Sequence, residues 1–258
     1  MVGNNGAGGA YPPGTLSSFH AAWDAGCRVF AVRLETTSDG IVVCFPYETL
    51  DQITNLNGNI SDYPWDSLRT GAVVHGAHGK RDSLAQFEDI LEEFPHAEFV
   101  AEVPHARVAS PLIKLINRRL DAGRLCIWGN SDTVLEEIRH RTSPILQRSL
   151  GNETFAEFAR LAREGLSADP ALKVGNWVHI PYRIGSEVYT QDPMFTRLAV
   201  GLAHDLGMGV RTFTINDFNT VQRLWNQSVD AVVTDFPEQT LKMWEAREQQ
   251  QRTGLILG

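Results

Sequence analysis

The chain predicts a (β/α)8 TIM barrel, an α/β fold, on three observations. Its 258 residues match the length of one such barrel. Short β-branched runs alternate along it with amphipathic stretches at helical spacing. These strand-then-helix units number eight, enough to close a parallel sheet on itself. A 43% hydrophobic share is ample for one large core, so residues 1–258 are expected to form one domain.

A short stub at the N-terminus supplies the first strand. A helix follows over residues 15–25, with Leu16, Phe19 and Trp23 on one face and Gly26 as its stop. In the second strand Phe30, Val32 and Leu34 alternate with Ala31, Arg33 and Glu35, as the two faces of a strand require. Asp39-Gly40 turns the chain into a hairpin strand at 41–45. Residues 46–82 read as a loop-rich insertion over the barrel mouth, because 51–81 is rich in Asn, Gly, Ser and Asp and shows no useful helical period. Ser83-Leu84-Ala85-Gln86 reads as a capping box opening a helix with Leu84, Phe87, Leu91 and Phe94 inward.

Further strands are expected at 99–103, 125–128, 145–148, 177–180, 210–215 and 231–234. Between them, Ser110-Pro111 reads as a cap and first helical proline with Gly123 as the stop, and Asp192-Pro193 with Gly207 repeats the device. Asn152 is placed as the cap of a helix carrying Phe155, Phe158 and Leu161 and ending near Gly165. Residues 247–258 read as a frayed tail or an oligomer contact.

A net charge of -8, with 23 scattered Lys and Arg, excludes binding to a nucleic-acid backbone, which needs a basic face. Cys27, Cys44 and Cys126 lie far apart in apolar contexts and form neither a disulfide framework nor a zinc set. No run approaches the roughly 20 apolar residues of a membrane span. No basic-then-apolar leader opens the chain, so the expected location is the cytoplasm.

Several segments carry a resemblance. They are the entry Gly3-Asn4-Asn5-Gly6-Ala7, the hairpin around Asp39-Gly40, the run Glu48-Thr49-Leu50-Asp51, the strand Phe213-Thr214-Ile215-Asn216, and Asp230 through Pro237. Together they resemble the glycerophosphodiester phosphodiesterase family of the PLC-like phosphodiesterase superfamily. The match spans nearly the whole chain, strong at both ends and weak between residues 124 and 189. That family hydrolyses phosphodiesters with two histidines as acid and base and a divalent metal held by carboxylates.

Carried over position by position, the family's His-Arg pair falls on Asn4-Asn5, and its Glu-Asn on Pro13-Gly14. Its two strand-two metal carboxylates fall on Ala31 and Arg33, and its second His with the following Asp on Pro46-Tyr47. Its strand-three Glu and Lys fall on Glu102 and Pro104. The resemblance thus implies the scaffold without the apparatus. One carboxylate beside a guanidinium supplies too few oxygens for a hard cation, so no metal and no cofactor is expected.

Candidate catalytic residues are Glu102, Arg33, Tyr47 and His179. Arg33 and Glu102 are expected to face each other across adjacent strands, either as working groups or as a charge plug in an abandoned pocket. His179 is placed at the mouth as an acid or base, or in the core as a hydrogen-bonded histidine. Candidate substrate-binding residues are Asn4, Asn5, Trp128, Arg148, Phe213 and Asn216. His75 and His78 lack a third ligand, and Glu48 and Asp51 read as loop-shaping.

Three functions compete. The first is a repurposed, metal-independent enzyme of lyase, isomerase or cyclase type acting on a small molecule. The second is a non-catalytic pseudoenzyme that binds a phosphorylated or polyol ligand, and the third is residual phosphodiesterase hydrolysis. The expected partner is a small molecule, an anionic one among the candidates, and the sequence is compatible with an oligomer.

Overall fold

The computed structural model describes residues 1–172, 174–181, 183, 184, 187, 188 and 192–256. Eight parallel strands form the barrel: β1 (Val2–Asn4), β2 (Val29–Thr36), β7 (Glu98–Glu102), β8 (Leu125–Trp128), β9 (Gln147–Arg148), β10 (Trp177–Pro181), β13 (Gly209–Phe213) and β14 (Ala231–Thr234). Each pairs with its neighbour in that order, and β14 pairs back onto β1 through Val2–Val233 and Gly3–Thr234. Between β9 and β10 the contact narrows to a parallel bridge joining Ser149 and Trp177.

Strand alternation explains the layers. Val2, Ala31, Val100, Ala231 and Val233 cluster together inside the barrel with Trp177 and Phe213. The alternate residues Phe30, Val32, Leu34, Phe99 and Ile127 meet the helical shell. There Phe30 packs edge-on to Phe19 at 5.2 Å between ring centroids, with α1 (Leu16–Asp24) supplying Phe19. Each such fully buried side chain contributes roughly 2–3 kcal/mol.

The hairpin strand β3 (Val42–Cys44) pairs antiparallel with β2. The following insertion holds α2 (Trp65–Gly71) and the small hairpin of β4 (Val74–His75) and β5 (Arg81–Asp82). It is therefore more ordered than its composition suggests. Phe45, Leu50, Ile60, Leu68, Val74 and Leu84 give it an apolar cluster of its own, and the Asp39 carboxylate accepts the Trp65 amide at 3.0 Å to open α2. Seven residues with only Leu68 fully buried are too few for a helical period to stand out.

Three helix starts differ from expectation, because strand pairing, a preceding turn or a neighbouring helix overrides the local signal. Ala85 and Gln86 form β6 (Ala85–Gln86) against the open edge of β3, so α3 (Phe87–Glu93) begins beyond Ser83. A turn at Ala106–Val108 runs straight into α4 (Ala109–Arg119), which places Ser110 and Pro111 inside its first turn. Leu120, at φ 59°, ends that helix ahead of Gly123. The N-terminus of α6 (Asn152–Glu164) is capped from the preceding helix α5 (Asp132–Arg141). The Asp132 carboxylate accepts the amides of Gly151 at 2.9 Å and Thr154 at 3.0 Å, a role expected of Asn152.

The Asp192 cap does form: its carboxylate accepts the Phe195 amide at 3.1 Å at the start of α7 (Pro193–Asp205), and Gly207 turns the chain at φ 67° beyond its end. A strand pair, β11 (Arg183–Ile184) with β12 (Glu187–Val188), follows β10. After α8 (Phe218–Asn226) and β14, residues expected as a tail continue the last helix, α9 (Pro237–Ile256); residues 257 and 258 lie outside the described residues. No helix among the described residues is long and apolar enough to cross a membrane.

Candidate active site

Parallel register brings the C-terminal strand ends to one mouth. Arg33 stands opposite Glu102, Glu102 opposite Trp128, and Pro181 opposite Phe213. A cavity of about 170 Å³ opens there, lined by Asn4, Asn5, Arg33, Glu102, Trp128 and Phe213 among others. A second lobe of about 220 Å³ shares Glu102, Trp128 and Phe213 and extends over Leu150, Phe155, His179 and Pro181. Gly129 makes the bend after Trp128 possible, since a Cβ there would stand 2.4 Å from the Val103 carbonyl.

Arg33 is the electrostatic hub of the first lobe, and its nearest carboxylate is Glu35. Arg33 Nη1 lies 3.0 Å from Glu35 Oε1, while Arg33 Nε lies 3.9 Å from Glu102 Oε1. Arg33 Nη1 also donates to the Tyr47 carbonyl. Glu35 is 1% exposed and serves a second guanidinium, that of Arg107, at 2.8 Å, with His105 Nε2 at 3.6 Å. Glu35 and Arg107 were not singled out as site residues from sequence. The available signal was the i, i+2 spacing of Arg33 and Glu35, which puts both on one strand face.

Glu102 is left with weaker compensation. Burial, against the partly offsetting Arg33 charge and with added repulsion from Glu35, pushes its carboxyl up to about 7. A proton can therefore enter or leave this group near neutrality.

On the β1 side the amides form a fixed chain. Asn5, in the left-handed region at φ 47°, donates through Nδ2 to Asn4 Oδ1 at 3.2 Å and accepts the Arg33 amide at 3.4 Å. Asn4 Nδ2 donates to Asp235 Oδ1 at 2.8 Å. Asn216 Nδ2 donates to the other oxygen of Asp235 at 2.6 Å, and Asn216 Oδ1 accepts the Asp235 amide and the Thr234 hydroxyl. Asn216 thus lies behind Asp235 and does not line either lobe.

His179 is buried in the barrel. Its ring packs edge-on against Trp128 and Phe213, each at 5.4 Å between centroids, and Arg211 Nη1 donates to its Nε2 at 2.9 Å. The proton therefore sits on Nδ1. Burial first, and the Arg211 charge second, hold its pKa well below the ordinary histidine range. This neutral imidazole is not the imidazolium that a general acid needs, and its Nε2 lone pair already accepts from Arg211. Arg211, 4% exposed with its guanidinium 4.0 Å from the Trp177 ring, sits mid-strand among apolar residues and gave no sequence signal.

Two further expectations are corrected. Arg148 faces outward from β9, where its Nε donates to the Val174 carbonyl at 2.6 Å and Nη2 meets Glu136 at 3.3 Å. It fastens α5 to the barrel and is remote from the mouth. Tyr47 reaches the site only through its backbone carbonyl; its ring is 41% exposed and leans on Phe45.

The donor set does not fit a divalent metal. Ala31 offers no ligand atom, Arg33 puts a guanidinium beside Glu102, and no group of three His, Cys, Asp or Glu suited to a metal occurs among the described residues. His75 and His78 belong to no such group.

A nearly closed parallel barrel with a polar mouth at its strand ends defines a TIM barrel. The model of the glycerophosphoryl diester phosphodiesterase family matches residues 5–239, and the chain belongs to that family. It is 24% identical over 247 residues to the uncharacterized protein YqiK of Bacillus subtilis, covering 92% of this chain and 95% of that one. It is 23% identical over 254 residues to a glycerophosphodiester phosphodiesterase of Bacillus altitudinis, covering 95% and 98%. Among solved structures, the glycerophosphoryl diester phosphodiesterase domain of a Mycobacterium tuberculosis protein superposes with a TM-score of 0.78 at 15% identity, covering 95% and 98% of the two chains. An Oleispira antarctica phosphodiesterase, solved with its product sn-glycerol-3-phosphate, superposes with a TM-score of 0.71 at 19% identity, covering 95% and 96%.

Proposed function

We propose that this family member is a metal-independent acid–base enzyme of lyase, isomerase or cyclase type acting on a small molecule held in the barrel mouth. The observation that carries the reading is Glu102. It lies at the junction of both lobes, beside the Arg33 guanidinium, with its carboxyl titrating at about 7. A base of that strength removes a proton from a substrate carbon and, once protonated, returns it at another atom. Arg33 lies beside it to stabilise negative charge that develops on a substrate oxygen, and Trp128 and Phe213 limit water at the reacting atoms. Once Glu102 has taken the proton, Arg33 and Arg107 outnumber the single Glu35 carboxylate, and the Arg33 guanidinium favours an oxyanion or an enolate in the polar lobe.

The test is hydrogen exchange in D2O. Small hydroxy acids and ketones incubated with the protein are followed by NMR for deuterium wash-in at carbon. The expected result is exchange that Glu102→Gln removes and that chelation leaves unchanged. Release of glycerol 3-phosphate from glycerophosphodiesters, stimulated by magnesium or calcium, would overturn the proposal in favour of the family's hydrolysis.

A further inference from the structure

The two lobes of the mouth differ in chemistry, and the difference bears on the substrate. The first presents Arg33 and the Asn4–Asn5 amides. The second has Leu150, Phe155, Pro181 and the rings of Trp128, Phe213 and His179. Among the described residues its ionisable side chains are Glu102, at the junction, and His179. Trp128 and Phe213 pack at 4.6 Å between centroids, and His179 closes the group edge-on to both. Leu150 and Phe155 are 5% and 6% exposed, so this surface is built into the fold.

The geometry points to a two-part substrate: an oxygen-rich head held by Arg33 and Asn4 in the first lobe, and an uncharged ring or compact hydrocarbon group packed against Trp128 in the second, with Glu102 between them. The inference rests on the reading of the mouth as an active site and adds the class of molecule it takes. A phosphate group in the second lobe would lose its hydration to aromatic and aliphatic carbon and meet no cationic side chain among the described residues, with the Glu102 carboxyl beside it, a heavy penalty. An apolar ring gains from burial there. The lobe, at about 220 Å³, exceeds the roughly 150 Å³ apolar cavity known to hold benzene. Asn130 and Asn152 at its rim leave room for a polar substituent on the ring.

The experiment uses the whole chain and benzyl alcohol as the neutral ring probe, followed by ligand-observed NMR, with inorganic phosphate and glycerol 3-phosphate as charged comparators. Benzyl alcohol is expected to bind the wild-type protein. Trp128→Ala should weaken it roughly ten-fold, the loss of one well-packed aromatic face. Asn130→Trp fills the lobe from an exposed position that the fold does not depend on, and should abolish probe binding while circular dichroism stays unchanged. Absence of binding up to the solubility limit overturns the inference, as does binding indifferent to both substitutions. So does displacement of the probe from the Trp128 face by inorganic phosphate alone. The readout needs no turnover: a chain that binds the ring but exchanges no proton keeps the lobe assignment and loses the proposed reaction.

Discussion

Arg33 holds Glu35, two residues further along its own strand, at 3.0 Å, closer than Glu102 across the sheet at 3.9 Å. Glu35, fully buried and lining neither lobe, therefore sits behind the mouth as the main partner of Arg33, with Arg107 on its other oxygen. Glu102 receives only what remains of the Arg33 charge.

Glu35→Gln leaves the Arg33 guanidinium in a largely buried position without its main partner. The expected loss is about 3–5 kcal/mol in urea denaturation, the range for removing one partner of a buried pair. The Arg107→Ala change removes a half-exposed partner and should cost at most about 1 kcal/mol.

The Glu102 carboxyl ties stability to pH with a definite sign. Its folded-state value, about 7, lies above the unfolded value, so the folded chain holds the proton more tightly between roughly pH 4.5 and 7. Stability from this group is full at low pH and falls as pH rises through 7. Glu102→Gln, which cannot ionise, should melt close to wild type at pH 5 and above it at pH 8. The gap corresponds to about 3 kcal/mol at most. Equal melting temperatures at pH 8 would show that the carboxyl ionises freely.

His179 should not titrate in an NMR series from pH 5.5 to 8, because burial and Arg211 keep it neutral throughout. A shift of the His179 resonances with a midpoint inside that window removes this assignment of its charge.

Magnesium or calcium at millimolar concentration should leave the wild-type melting temperature within about 1 °C of its starting value, since weak binding stabilises little. The double change Ala31→Glu with Arg33→Asp restores carboxylates at the two positions that carry metal ligands in the resembled family, next to Glu102. That variant should gain several degrees from calcium, and none after chelation.

The barrel itself was readable because its strands are short β-branched runs and its turns carry explicit signals. Residues 125–128 and 231–234 fall where expected, and Asp192 and Gly207 bracket α7. Helix starts were less readable, since Ser83 and Ser110 carry good local signals that strand pairing and a preceding turn override. Among site residues, those on longer strands, such as Arg33 and Glu102, point where alternation puts them. Arg148 does not, because β9 is only two residues long and one residue of register decides which face an arginine takes. Glu35 and Asp235 escaped selection because their importance comes from what approaches them in space, Arg107 and Asn216 among others, and spacing alone does not reveal such partners.

The joint at Ser149 and Trp177 coincides with the divide between the two large apolar clusters, one built from residues before it and the other from residues after it. The molecule is in effect two half-shells, and the mouth belongs to neither alone: Arg33, Glu102 and Trp128 come from the first, His179, Pro181 and Phe213 from the second. A molecule bridging Trp128 and Phe213 is then a clasp across that joint, and occupancy of the mouth is felt at Leu150, whose amide donates to the Trp177 carbonyl at 3.2 Å, as slower exchange of that hydrogen.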